Sequence, residues 1–244
     1  MRFGRYLLTR FLLIFPTIFI LVTTVFFLMR STGDPITAAQ GERLAPEELA
    51  RRVAEAGFDR PLIVQYGEYL GNVIRGDFGT AYSDGRAVTE ILRTYGSATL
   101  ELVVLALVVA LVIGVPLGMV AAYYRDRWPD AVLRIVAILA YATPVFFVGL
   151  LLKLVFAVGL GWLPIAGRVS TSGEATLRSI TNPTPFYLLD ALRLGDVELA
   201  VDVASHCVLP AFALGLLLGG VFLRLVRTNL IDTLARPYID SARS

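Results

Sequence analysis

The stretch FLLIFPTIFILVTTVFFLM, residues 11–29, contains 19 residues and no charged side chain. At about 1.5 Å per residue, a helix of this length spans about 28 Å, which matches the hydrocarbon core of a bilayer. The stretch therefore predicts a membrane-spanning helix. Arg2, Arg5 and Arg10 precede it with no acidic residue among them, and by the positive-inside tendency they place the N-terminus in the cytoplasm.

A cleaved signal peptide is the alternative interpretation of this N-terminal stretch. The apolar run is longer than the roughly 7 to 15 residues typical of a signal peptide. No cleavage site of the A-x-A type follows in STGDP, residues 31–35. The sequence therefore favours an uncleaved membrane anchor.

The composition of the chain agrees with a membrane protein. The 244 residues are 56% hydrophobic and 17% charged, with a mean hydropathy of +0.70, which is too apolar for ordinary water-soluble domains. The net charge of +2 gives no basic face for nucleic acid. Cys207 and His206 are the only cysteine and histidine, so we expect no metal site and no cofactor.

Three further apolar runs predict three more spans, at residues 98–124, 131–157 and 208–226. GVPLG at 114–118 is expected to bend the second span, and Pro144 is expected to kink the third. Four crossings predict that both ends of the sequence lie in the cytoplasm. The predicted segments are a cytoplasmic N-terminus with the first span (1–30), an exofacial cap (31–96), two spans joined by a cytoplasmic turn at 125–130 (97–158), a partly ordered exofacial loop (159–205), a fourth span (206–227) and a cytoplasmic segment (228–244).

Residues 31–96 carry ten acidic and seven basic side chains, so this segment is expected to lie in water. Proline and glycine signals indicate two helices in it. The first opens at Pro46 and ends before Gly57, and the second opens at Pro61 and closes at Gly76. The second helix is predicted to bear an apolar stripe formed by Tyr66, Tyr69, Leu70, Val73 and Ile74. The segment is larger than a connector needs, which favours a folded cap.

The sequence lacks the motifs of nucleotide hydrolysis and of common hydrolases. G-x-x-x-x-G-K-[ST], G-x-S-x-G and H-E-x-x-H are all absent, and the only lysine, Lys153, follows no glycine-rich loop. We therefore expect that the chain is not an enzyme and that ATP-driven transport would need a separate ATPase subunit.

Glu101 and Lys153 are the charged residues that fall inside predicted spans. A charge in the membrane marks a candidate solute path, although both side chains lie close enough to a span end to reach the interface instead. An ion-coupled secondary transporter would favour more such groups and an inverted repeat. That class and a non-transporting membrane scaffold stay as the alternative functions.

Seven short motifs occur in order along the chain, and together they carry a family resemblance. They are GDP (33–35), GFDRPLIVQY (57–66), RGDFGTAY (75–82), ATLEL (98–102), IGVPLG (113–118), TPVFFVGLLL (143–152) and LGWLPIAG (160–167). In this order they resemble the permease subunit of binding-protein-dependent ABC importers of the dipeptide and oligopeptide type.

The resemblance implies an all-α, polytopic membrane helical bundle, the permease fold of type I ABC importers. A subunit of this family has six membrane helices, of which about four would be present here. It pairs with a second homologous permease subunit, docks on two cytoplasmic ATP-binding subunits and receives its solute from an exofacial binding protein. The implied location is a prokaryotic cell membrane, and the implied solutes are dipeptides or oligopeptides.

The last residues resemble the front half of the family's E-A-A coupling loop, with Asp240 in the place of a glutamate. The sequence ends before the loop's glycine, so we expect a truncation there. Independently, Leu230, Leu234, Tyr238 and Ala242 recur every four residues, which puts them on one face of a helix. The candidate ATPase-coupling residues are Leu234, Pro237, Tyr238, Ile239, Asp240, Ser241, Ala242 and Arg243. A helix lying on lipid headgroups is the alternative.

Two other groups of candidate residues follow. The exofacial cap is predicted to receive the binding protein through Asp34, Pro35, Arg75, Gly76, Asp77, Phe78 and Gly79. The translocation path is predicted to include Glu101, Thr143, Pro144 and Lys153. No catalytic residue is expected.

Overall fold

The computed structural model describes residues 2–41, 44–81 and 84–234, and the chain divides into two compact units, Met1–Leu92 and Arg93–Ser244. The regular structure within the described ranges is helical, apart from one isolated antiparallel bridge between Thr80 and Ala87. The prediction of an all-α chain is confirmed.

The first unit begins with the predicted membrane helix. Its helices are α1 (Arg2–Ser31), α2 (Pro35–Gln40), α3 (Pro46–Glu55), α4 (Leu62–Ile74) and α5 (Val88–Ile91). Pro46 opens α3 as predicted, and Pro61 is the residue directly before α4. Proline suits these positions because the first helical N–H groups have no partner within the helix.

Aromatic packing joins α1 to α4 inside the first unit. The Phe26 ring stacks on Tyr69 at a centroid distance of 5.3 Å and lies 5.2 Å from Tyr66, whose hydroxyl is hydrogen-bonded to Thr23. The predicted apolar stripe of α4 is therefore confirmed for the two tyrosines. Ile74, at the end of the stripe, is 84% exposed.

The second unit holds the remaining helices. These are α6 (Ser97–Tyr123), α7 (Trp128–Ala142), α8 (Val145–Leu152), α9 (Thr171–Arg178), α10 (Tyr187–Leu194) and α11 (Val197–Leu234), with π-helical segments at Leu92–Gly96 and Lys153–Gly159. Among the described residues, three helical stretches are long and apolar enough to cross a membrane, namely Gly4–Ser31, Val88–Tyr123 and Val197–Leu234. A fourth crossing is complete if the bent pair Trp128–Ala142 and Val145–Gly159 forms one span.

The bent pair differs from the predicted kinked helix. Its two halves meet at 101°, and Thr143 and Pro144 between them have extended backbone. Pro144 lacks an N–H and its ring disfavours helical angles at Thr143, so the helix stops there and starts again.

The predicted loop at 159–205 and the predicted fourth span also need correction. Residues 159–205 contain α9, α10 and the first turns of α11. The Asp196 carboxylate accepts a hydrogen bond from the Leu199 N–H at 3.0 Å, which caps α11 well before the predicted start. With 38 residues, α11 is about 57 Å long and exceeds the thickness of a bilayer core.

A seam of small residues joins α6 to α11. Ala106, Ala110, Gly114 and Gly118 recur every four residues on α6 and are all buried. A Cβ added to Gly114 would lie 2.6 Å from the Gly219 carbonyl oxygen, and one added to Gly215 would lie 2.5 Å from the Val109 side chain. The two helices therefore touch backbone to backbone, as small residues permit in membranes. Sequence reasoning used the GVPLG glycines only as a bend signal.

Candidate functional site

A buried ion pair links α7 to α11 within the second unit. The Arg227 guanidinium donates to both carboxylate oxygens of Asp130, from Nε to Oδ1 at 2.6 Å and from Nη2 to Oδ2 at 2.7 Å. Asp130 is fully buried, whereas the side chain of Arg227 is 18% exposed. In this bidentate geometry, two N–H···O bonds fix the orientation of the guanidinium relative to the carboxylate. The pair therefore helps to orient α7 relative to α11.

The same carboxylate fixes the turn at 125–130. Oδ2 of Asp130 also accepts a hydrogen bond from the Asp126 N–H at 3.0 Å, and Asp126 has a φ of 60°, a left-handed conformation that Asp tolerates. Asp130 thus joins the turn to α11. The sequence reasoning missed this residue, although a single acid beside Pro129 at the start of an apolar helix was a visible signal.

Glu101, predicted to line the solute path, is paired. Its Oε2 accepts from Arg168 Nη2 at 2.7 Å, and its Oε1 accepts from the Leu188 N–H at 2.9 Å in the first turn of α10. The Arg168 guanidinium also lies 3.8 Å from the centroid of the Tyr187 ring. Glu101 of α6 is therefore bonded to the first turn of α10 through Leu188 and to the segment before α9 through Arg168.

The other predicted path residues are Thr143, Pro144 and Lys153. The Thr143 hydroxyl donates to the Leu139 carbonyl oxygen at 2.7 Å, at the break between α7 and α8. Lys153 begins the second π-helical segment and lines a cavity of about 420 Å³ together with Pro210 and His206. Thr143 and Pro144 are not among the residues that line this cavity. A solute path through all four residues stays a prediction.

His206 and Cys207 show no sign of a metal site. The His206 Nδ1 lies 2.9 Å from the Asp202 carbonyl oxygen, and the Asp202 carboxylate accepts from the Ser170 N–H at 3.1 Å and from its hydroxyl. Asp202 therefore connects α11 to the start of α9. Within the described ranges, histidine, cysteine and acidic side chains form no group of three able to hold a metal.

The predicted cap residues fall at two turns of the first unit. The Asp34 carboxylate caps α2 by accepting from the Thr37 N–H at 2.6 Å. Burial opposes its ionisation, but the Thr37 hydrogen bonds outweigh burial and hold the pKa of Asp34 below its usual value. Gly76, with a φ of 80°, ends α4, and the Asp77 N–H reaches back to the Asn72 carbonyl oxygen at 2.9 Å.

Part of this predicted set surrounds one cavity of about 440 Å³ in the first unit. Pro35, Asp77, Phe78 and Gly79 line it, whereas Asp34, Arg75 and Gly76 do not. Arg30 also lines it, with its guanidinium 4.1 Å from the centroid of the Phe58 ring. Sequence reasoning treated residue 30 only as the end of the first span. The predicted cap therefore contributes to a cavity that is lined partly by aromatic side chains.

The predicted ATPase-coupling residues lie at the end of the chain. Leu234 is the last residue of α11 and is 39% exposed. Pro237, Tyr238, Ile239, Asp240, Ser241, Ala242 and Arg243 lie outside the described residues.

The sequence matches two family profiles over most of its length. Residues 114–244 match the binding-protein-dependent transport system inner membrane component. Residues 3–102 match the N-terminal part of the binding-protein-dependent transport system membrane component.

Individual relatives agree with these profiles. The probable D,D-dipeptide transport system permease protein DdpB of Escherichia coli K12 is 38% identical over 212 residues, which cover 87% of this chain and 61% of the relative. The dipeptide transport system permease protein DppB of the same organism is 33% identical over 243 residues, or 98% and 71%. The glutathione transport system permease protein GsiC of Salmonella typhi is 30% identical over 241 residues, or 98% and 68%.

These matches and the helical spans together identify the family to which the chain belongs. The chain covers about three fifths to seven tenths of the length of these relatives. It is a multi-pass membrane protein, and it belongs to the family of inner membrane components of binding-protein-dependent transport systems, as a dipeptide-type permease of the ABC importers.

Proposed function

We propose that this chain forms part of the path by which an ATP-driven importer carries short peptides across a prokaryotic cell membrane. The three relatives named above have transport names that refer to dipeptides or to glutathione, which supports a small peptide as the solute. ATP hydrolysis belongs to two separate cytoplasmic subunits, and a second homologous permease subunit completes the path.

The observation that carries this proposal is the Asp130–Arg227 pair at the base of α11. α11 contains residues 228–234 of the predicted coupling segment (228–244), and the pair holds α11 against the turn at 125–130. A helix fixed in this way can pass a movement of the coupling segment into the membrane. We propose that residues 228–244 dock on an ATPase subunit through the face that carries Tyr238 and Ala242.

Two substitutions test the docking. Tyr238→Asp and Ala242→Arg in the full-length protein, assembled with its partners, should abolish the ATPase activity stimulated by solute and binding protein. Membrane insertion should stay normal. Thr176→Asp on α9 is the control, because it adds a charge at a position far in sequence from the coupling segment. It should leave the stimulated ATPase activity unchanged. Normal stimulation in both coupling variants would contradict the docking.

The cap at residues 31–96 is proposed to receive the exofacial binding protein at the cavity of about 440 Å³ in the first unit. Phe78 lines that cavity and is 47% exposed, so its ring is accessible to a partner. Phe78→Ala should weaken binding of the solute-binding protein, measured by surface plasmon resonance. Ile74→Ala is the matched control, since Ile74 is exposed nearby but does not line the cavity. Equal affinities for the two variants would exclude this contact.

The proposed orientation has the N-terminus in the cytoplasm, as Arg2, Arg5 and Arg10 favour. Gly4→Cys and Thr176→Cys, each made in a Cys207→Ser background, should differ in labelling of intact spheroplasts by an impermeant maleimide. The cysteine at position 176 should react and the cysteine at position 4 should not. The opposite pattern would reverse the topology.

A further inference from the structure

We infer that the groove between α7 and α11 binds an anionic phospholipid, with Arg134 and Arg224 holding its phosphodiester. The groove has a volume of about 410 Å³, and it has a polar end and an apolar end. Lipid binding at this surface does not depend on which solute the importer carries.

The two walls of the groove run antiparallel. Asp130 of α7 contacts Arg227 of α11, and further along, a Cβ on Gly220 of α11 would lie 3.0 Å from the Ala137 carbonyl oxygen of α7. Moving from Asp130 toward Ala137 on α7 therefore corresponds to moving from Arg227 toward Gly220 on α11. The arginines of both helices fall at the same end of the groove.

The polar end has more positive than negative charge. Arg134, Arg224 and Arg227 line it. Asp130 faces Arg134 and Arg227, and Asp126, which is itself paired with Arg125, also acts electrostatically on Arg227. Arg227 forms a close ion pair with Asp130. Arg134 lies 3.7 Å from the same carboxylate, and half of the Arg134 side chain is exposed. Within the described ranges Arg224 takes part in no ion pair, and it is exposed. Two arginines are thus available to an anion.

The other end of the groove is apolar and open. Ile138, Tyr141 and Val221 line it and are 57%, 59% and 47% exposed. Arg134 and Tyr141 are seven positions apart, which corresponds to about 10 Å along the helix, within the roughly 15 Å depth of one leaflet. A phosphate at the arginines would therefore place an attached acyl chain along these apolar side chains.

An occupant that carries an anionic group and an apolar chain matches both ends of the groove. Free phosphate satisfies the arginines but leaves the apolar end uncovered, and an acidic surface of a water-soluble protein cannot enter the hydrocarbon layer. An anionic phospholipid supplies the phosphate and the apolar tail in one molecule. Basic pockets at the ends of membrane helices recognise such headgroups.

Native mass spectrometry of the purified full-length protein tests this site. Dioleoyl phosphatidylglycerol or dioleoyl phosphatidylcholine is added after delipidation, and the number of retained lipids is counted. The wild type should retain phosphatidylglycerol in preference to phosphatidylcholine. Arg134→Gln with Arg224→Gln should weaken phosphatidylglycerol binding by about fivefold for each arginine removed. Arg178→Gln with Arg193→Gln removes the same charge from exposed sites elsewhere and should bind like the wild type.

Two further arms identify the bound group. Val221→Trp, which fills the apolar end, should reduce lipid retention although both arginines stay. Millimolar inorganic phosphate should fail to displace the lipid. Equal retention by the Arg134/Arg224 variant and the wild type would overturn the inference, and so would displacement by phosphate. Unchanged lipid retention with loss of ATPase co-purification in that variant would also overturn it, by assigning the arginines to a protein contact.

Discussion

Arg227 donates to both carboxylate oxygens of Asp130 across 97 positions of sequence, and Asp130 has no exposed surface. Asp130→Ala should leave the Arg227 charge without its partner in a poorly solvated site. We expect a loss of about 3 to 5 kcal/mol in stability, as found when one member of a buried pair is removed. Thermal melting in detergent measures it.

The control for this pair is Arg134→Ala, because Arg134 reaches Asp130 only at 3.7 Å from a half-exposed side chain. That variant should lose at most about 1 kcal/mol, the usual range for exposed ion pairs. Exchanging the charges, with Asp130→Arg and Arg227→Asp together, should recover part of the loss. A melting temperature of Asp130→Ala equal to the wild type would show that the pair does not stabilise the fold.

Glu101 should hold α10 in place rather than carry solute. Glu101→Ala removes the acceptor of the Leu188 N–H and the partner of Arg168. We expect the Leu188 amide hydrogen to exchange with solvent faster, because the free energy of local opening should fall by about 1.5 to 3 kcal/mol. Glu198→Ala is the control at an exposed position of α11. Lost transport with unchanged exchange at Leu188 would instead assign Glu101 to the solute path.

The small-residue seam should reject even one methyl group. A Cβ on Gly114 would lie 2.6 Å from the Gly219 carbonyl oxygen, whereas one on Gly149 would lie 3.9 Å from the Ala213 side chain. Gly114→Ala should therefore destabilise the protein by about 1 to 3 kcal/mol, because the helices must separate. Gly149→Ala should be tolerated. Similar melting temperatures for the two variants would mean that the seam is not closely packed.

The stability of α2, which Asp34 caps, should depend on pH. The pKa of the Asp34 carboxyl is lowered in the fold, since the Thr37 hydrogen bonds outweigh its burial. Its stabilising effect is therefore complete above the pKa of the unfolded chain and is lost as pH falls through the lower folded pKa. Exchange at the Thr37 amide should lose protection in acid. Asp34→Asn, whose amide oxygen caps without titrating, should remove this dependence. Acid sensitivity that persists in Asp34→Asn would exclude Asp34 as its source.

Local signals predicted those parts of the fold that local forces decide. An uncharged run of 19 residues fixes α1, and Pro46 with two following acids fixes the start of α3. The start of α11 was missed because it depends on a cap from Asp196 in a stretch that reads as polar. The break at Pro144 was located correctly, but its angle of 101° depends on what α7 and α8 pack against.

The candidate site was harder to predict for the same reason. Asp130 and Arg227, and likewise Glu101 and Arg168, become partners only after helices far apart in sequence come together. Periodicity identifies a face of one helix but does not identify the residue that faces it. The four-residue spacing from Ala106 to Gly118 was the strongest unused signal, since it predicts close helix contact.

The α6–α11 seam has a mechanical consequence. Where the α6 and α11 backbones meet at Gly114 and Gly219, we expect that neither helix can slide or tilt without moving the other. α11 runs from Val197 to Leu234, and the Asp202 contact with Ser170 lies near one end while the Asp130 contact with Arg227 lies near the other. We expect a displacement at Leu234 to pass along α11 toward the contact of Asp202 with Ser170, at the start of α9.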